Sequence, residues 1–238
     1  MTGPGADQLY TEAYDEYMSF YGETPKELRD KFERASEMGS ADATYMMGTF
    51  YDHGDGVPQD YGKARCLYEK AGTPDAVQSI GVLYHYGRGV EQSDALAFEL
   101  FMRAAEMGSS KALYNLGVMY ESGIYVGEDK GQAVEYYTRA SDMGNPSADY
   151  NLGVMYRDGK GVRQSDELAL QWFRKGADKG LAKAMCSVGL AYHNGRGVPA
   201  NDFEAMKWFV KGSSMGHKRS QMMAEMLRKR VKVITAFE

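Results

Sequence analysis

With 238 residues, 43% of them hydrophobic and 26% charged, the chain has enough apolar material to fold, which excludes a disordered polymer. A net charge of −5 and a pI near 5.5 argue against a general nucleic-acid binder, whose surface is normally basic. Cys66 and Cys186 are too few for a disulfide scaffold and read as reduced, buried thiols in a reducing compartment.

In chain order, the first residues carry neither the basic segment nor the apolar run of a secretory signal, although a signal already removed would leave the same picture. No stretch reaches the roughly 18 apolar residues of a membrane span, so the expected location is the cytoplasm. Leu9, Tyr10, Ala13, Tyr14, Tyr17 and Tyr21 predict a leading amphipathic helix. Thr24-Pro25-Lys26-Glu27 predicts a capped second helix running through Phe32 and Ala35 to Gly39. Residues 6–39 are thus expected to cap the N-terminal end.

A period then takes over. Gly48, Gly81, Gly117, Gly153 and Gly189 are separated by 33, 36, 36 and 36 residues. An alanine stands five residues before each (Ala43 to Ala184) and a tyrosine three after (Tyr51 to Tyr192). A second glycine follows at six, an alanine at sixteen and an aromatic at twenty: Tyr68, Phe101, Tyr137, Phe173 and Phe209. Each unit reads as two helices. In the third, Ala112, Leu116 and Tyr120 form one stripe of a first helix, and Gly123 ends it. Ala133, Tyr136, Tyr137 and Ala140 line a second helix that stops at Gly144. Ser93, Ser165 and Asn201 are expected N-caps of second helices. The repeats fall at 42–75, 76–111, 112–147, 148–183 and 184–219. Residues 220–238 add a last helix, over Gln221 to Val233, and a tail. The sum is a single all-α domain of about 13 helices and no strand, a right-handed TPR-like α-solenoid.

The stretch Tyr150-Asn151-Leu152-Gly153-Val154-Met155-Tyr156-Arg157-Asp158-Gly159-Lys160-Gly161-Val162, with Ala169 and Trp172-Phe173 after it, resembles the Sel-one-like repeat (SLR), a relative of the tetratricopeptide repeat. The resemblance covers residues 42 to 220. It implies a non-enzymatic adaptor that holds a partner protein or peptide, and leaves the partner unspecified. The first unit departs from the pattern by lacking three residues. Tyr125 stands where Gly56, Gly89, Gly161 and Gly197 stand in the other units. Gly176 and Gly212 replace the family's alanine and are expected to soften two second helices.

Columns used for packing leave recognition to the variable ones. One variable column holds Tyr45, Gln78, Tyr114, Tyr150 and Cys186; the next holds Met46, Ser79, Asn115, Asn151 and Ser187. On the concave face expected for first helices, Asn115 and Asn151 offer donors and an acceptor to a peptide, and Tyr45, Tyr114 and Tyr150 offer amphipathic area. The alternative is that these amides bond neighbouring helices, the commoner habit of such side chains. A tyrosine at position 125 either reroutes its loop or displays Ile124 and Tyr125 to a partner. The methionines read mostly as core, while Met222, Met223 and Met226 either pack as a cap or form an adaptable groove. Arg228-Lys229-Arg230-Val231-Lys232 is the one basic run, a solvated helix end or a patch for an acidic partner.

Chemistry is not expected. The chain has no Ser-x-x-Lys, G-x-S-x-G, phosphate loop or H-E-x-x-H. His85 and His193 share a repeat position three units apart, and His53 with Asp52 and Asp55 reads as loop polarity rather than a metal site. The expectation is therefore a binding protein without cofactor or metal, with no nucleic acid or membrane partner, monomeric with a dimer left open. An immunity or effector-type protein, a β-lactamase-like hydrolase and a self-assembling array are the alternatives.

Overall fold

The glycine column shows why these residues pair as hairpins. A Cβ on Gly48, Gly81, Gly117, Gly153 or Gly189 would come within 2.5–2.6 Å of the ring of Tyr68, Phe101, Tyr137, Phe173 or Phe209, respectively. The ring occupies the space a side chain would need, so the two helices of a unit meet at close range. The flanking alanines of both helices, such as Ala148 and Ala169, are buried in every copy. Glycine, alanine and aromatic are thus one packing device repeated five times.

The computed structural model describes residues 4–20 and 22–235 in backbone, and residues 5–20 and 22–229 in side chains. Among the described residues there are thirteen helices and no strand. They form two units, Met1–Ala112 and Leu113–Glu238. The first holds α1 (Pro4–Ser19), α2 (Lys26–Glu37), α3 (Ala41–His53), α4 (Tyr61–Ala71), α5 (Pro74–Tyr86) and α6 (Asp94–Glu106). Helix α7 (Ser110–Ser122) crosses the division. The second unit holds α8 (Lys130–Asp142), α9 (Pro146–Asp158), α10 (Asp166–Asp178), α11 (Ala182–Asn194), α12 (Asp202–Ser214) and α13 (Lys218–Thr235). Within each unit successive helices pack on one another, from α1·α2 to α5·α6 and from α8·α9 to α12·α13. This is the pairing of a helical solenoid, and within each unit the apolar core is spread along the series of helices.

Local chemistry sets the boundaries. Ser93, Ser165 and Asn201 cap α6, α10 and α12 by accepting from backbone N–H groups two or three residues on. Thr24 does not cap α2. Its N–H and hydroxyl both donate to the Asp55 carboxylate, at 2.7 and 2.6 Å, so a bond to the loop after α3 has outcompeted the local one. Cys186 is buried, but Cys66 is exposed. The equivalent positions, Glu99, Glu135, Gln171 and Lys207, are exposed too, so the column faces water in every copy.

The methionines also divide differently from the expectation. Met46, Met47, Met119, Met155 and Met185 are core, whereas Met38, Met107, Met143 and Met215 are exposed. These four are the C-cap residues of second-type helices, each followed by a glycine, where the chain turns away from the core. Met222 and Met226 on α13 are exposed as well, while Leu227 and Ala224 carry its packing. Helices α10 and α12 run unbroken through Gly176 and Gly212. Room explains the second: a Cβ there would collide with the Ser220 hydroxyl and lie 3.1 Å from its Cβ. Tyr21, and the side chains of Arg230, Val231 and Lys232 from the basic run, lie outside the described residues.

Candidate functional site: a tyrosine groove in the N-terminal unit

Three tyrosines on α1, Tyr10, Tyr14 and Tyr17, sit at i, i+4 and i+7 and so share one face. Tyr10 packs its ring 6.1 Å from Phe32, and Tyr17 packs 5.9 Å from Phe50, which fixes α1 on the core. Their remaining faces, with Tyr14, form one wall of a groove of about 490 Å³. The other wall comes from α3, through Tyr45, Asp42 and Thr49. Tyrosine suits this place, because its body packs while its hydroxyl edge stays wet.

Lys111 closes one end. Its Nζ lies 2.6 Å from Asp75 Oδ2 and 5.7 Å from the centre of the Tyr45 ring, while Ser109 donates to the other Asp75 oxygen at 2.9 Å. Burial pushes the Lys111 ammonium pKa down, but the Asp75 hydrogen bond and the neighbouring Tyr45 more than offset this, so it ends above its usual value. Burial, helped by the Asp42 charge, pushes the Tyr10 hydroxyl up to about 12. The surroundings share the sign of Asp42. Residues 1–112 hold 19 Asp plus Glu against 10 Lys plus Arg, a net −9, whereas residues 113–238 hold 14 against 18, a net +4.

The candidate columns are placed unevenly. Tyr45, Tyr114 and Tyr150 are half-buried, and each ring lies 5.6–5.7 Å from the aromatic of its own unit. Gln78 is buried at 7% exposure, which removes it from any contact surface. Ser79 and Asn151 lie within hydrogen-bonding reach of the Tyr68 and Tyr137 hydroxyls. Those hydroxyls donate in turn to Asp52 and Glu121, at 3.1 and 2.7 Å. Two members of the polar column thus serve helix packing. Ser187 donates to the Lys183 carbonyl at 3.3 Å and borders a second cavity, of about 220 Å³, with Arg157, Arg196 and Arg219. The side-chain amide of Asn115 makes no hydrogen bond among the described residues. Asn151→Ala should therefore lower stability by about 1 kcal/mol, the net worth of a typical hydrogen bond. Asn115→Ala should leave it unchanged, and urea unfolding of both variants checks this.

The loop at Tyr125 keeps the path of the other units. Its φ is +64°, and it is the one residue other than glycine with positive φ among the described residues. Tyr125 is 58% exposed and Ile124 is half-buried. The loop polar residues are likewise engaged: His85 and His193 bond Asp94 and Asp202 at 2.6 and 2.5 Å, and His53 bonds the Thr49 carbonyl. Among the described residues no three His, Cys, Asp or Glu converge as metal ligands. None of the described helices is long and apolar enough to cross a membrane. Of the groove, the candidate columns supplied Tyr45 and not its partners. The available signal was tyrosine, rather than leucine, at three helically spaced positions before the repeats begin.

The Sel1 repeat model matches residues 41–73, 74–109, 110–145, 146–181 and 182–217. No curated protein matches the chain significantly. A protective antigen of uropathogenic Escherichia coli with an SLR fold is 33% identical over 92% of this chain, with a TM-score of 0.68. The chain spans 48% of that antigen, about half its length. A Sel1 repeat protein of Oxalobacter formigenes is 30% identical, with 88% of each chain covered and a TM-score of 0.75. An immunity protein of Pseudomonas aeruginosa is 21% identical over 92% of this chain and 85% of its own, with a TM-score of 0.67, a likeness of fold alone. With five matched repeats over most of its length, the chain belongs to the Sel1-repeat family, whose fold generally serves protein interaction.

Proposed function

We propose that this chain works by holding a partner protein, with the tyrosine groove of the N-terminal unit as the docking surface. The observation that carries the reading is the groove itself: four tyrosines border one open trough, and Tyr14 is 36% exposed. Tyrosines give large contact area at low entropic cost, as they do in evolved binding surfaces. Asn115, Ile124 and Tyr125 remain candidate contacts, on the exposure of Tyr125 and the unengaged amide of Asn115. The two unpaired thiols support a reducing compartment. The reading of an immunity protein rests on likeness of fold and has no observation of its own in this chain.

A photoreactive benzoylphenylalanine at position 14, activated in the native cell, tests the groove. The expected result is a covalent adduct with a discrete polypeptide from position 14 and none from position 168, an exposed site on α10. No adduct at position 14, or the same adducts from both, contradicts the reading.

A further inference from the structure

We infer that the tyrosine groove recognises a basic segment of its partner, taking a lysine or arginine side chain between its rings and Asp42; this rests on the groove being the docking surface. The groove already holds one cation in this manner. The Lys111 ammonium lies over the Tyr45 ring and is held by Asp75, so ring faces and carboxylates here are arranged for positive charge. The same elements recur towards α1 without a cation of their own. Asp42, exposed in the first turn of α3, has no ion-pair partner among the described residues and faces the same space as Tyr10 and Tyr14.

The other charged groups at the groove do not reverse this. Asp75 is neutralised by Lys111, and the exposed His53 is tied through Nδ1 to the Thr49 carbonyl. Around the groove lies a unit of net charge −9, which steers a cationic segment towards it and repels an acidic one. An uncharged apolar segment would leave the Asp42 carboxylate covered and unpaired, a cost that a cationic side chain removes.

The test uses the intact chain and three labelled peptides, acetyl-(Ala-Arg)₃-amide and its citrulline and glutamate counterparts, read by fluorescence anisotropy at low salt. The arginine peptide should bind about tenfold more tightly than the citrulline peptide, and the glutamate peptide should not bind. Asp42→Asn and Tyr14→Ala, both at exposed positions, should each weaken the arginine peptide about threefold. Glu99→Gln, an exposed carboxylate on α6 outside the groove, should leave binding unchanged. Equal binding of arginine and citrulline peptides, or an equal loss from Glu99→Gln and Asp42→Asn, overturns the inference. So does a dimer that dissociates on Asp42→Asn, which would make a second copy of the chain the occupant. A polypeptide adduct from position 14 together with indifference to peptide charge leaves the groove as the docking surface and removes only its preference for a cation.

Discussion

Replacing Gly161 by valine is expected to cost about 2–5 kcal/mol. This combines the left-handed penalty of a side chain with overpacking. Gly161 has φ +70°, and a Cβ on it would lie 2.5 Å from the Lys130 carbonyl carbon, closer still to its oxygen, and 2.9 Å from the Lys130 Cβ. Two of these three neighbours are backbone at the start of α8, which cannot rotate away. The same substitution at Tyr125 should change stability by about 1 kcal/mol at most, because the tyrosine already sits at φ +64° and bears that penalty. Urea midpoints of the two variants, measured side by side, decide the matter. Equal tolerance would show that the loop glycines are interchangeable with side-chain residues and that the turn geometry is not a packing requirement.

The second large effect concerns Asp149, which is 0% exposed. Ser141 donates to its Oδ1 at 2.5 Å. Its Oδ2 has no aligned hydrogen bond and relies on the Lys179 ammonium 2.6 Å away. Lys175 stands 3.8 Å from Oδ1 and donates to the Ser141 hydroxyl at 2.7 Å. Replacing both Lys175 and Lys179 by methionine would leave a buried carboxylate without a counter-charge, a loss of about 3–5 kcal/mol. Asp149→Leu should instead be neutral or stabilising, since desolvating an ion pair offsets most of its attraction. Val77, Leu113 and Met185 occupy the same repeat position in three other units, so the column admits an apolar side chain, while Thr44 holds it in the first repeat and bonds Ser36 at 2.7 Å. Thermal unfolding of the two variants should move in opposite senses or differ by several degrees. A larger loss from Asp149→Leu than from the double lysine change would mean that the ion pair itself holds α8, α9 and α10 together.

These two cases mark what the sequence does and does not carry. The glycine–aromatic lock, the caps at Ser93, Ser165 and Asn201, and the left-handed loop position are short-range, and the same residues recur at fixed spacing. Repetition makes them legible, because each copy restates one local rule. Asp149 is not legible, because its environment draws on Ser141 of α8 and on Lys175 and Lys179 at the end of α10, and no other unit repeats a carboxylate between two lysines. The bond from Thr24 to Asp55 crosses 31 residues and displaces the cap that the local pattern favours. The groove was half legible for the same reason. Tyr45 belongs to a repeat column, whereas Tyr10, Tyr14 and Tyr17 precede the repeats and acquire meaning only once α1 docks on Phe32 and Phe50. Asn115 and Asn151 look alike in sequence, yet Asn151 lies beside the Tyr137 hydroxyl whereas Asn115 makes no such bond.

Hydrogen–deuterium exchange on the complex with the partner cross-linked from position 14 tests docking at the tyrosine groove most directly. Added protection is expected in α1, the first two turns of α3 and the segment Thr73–Asp75, and little in α4 or α10. Protection confined to α4, α10 or the loop around Tyr125, with the groove exchanging as in the isolated chain, would contradict the account.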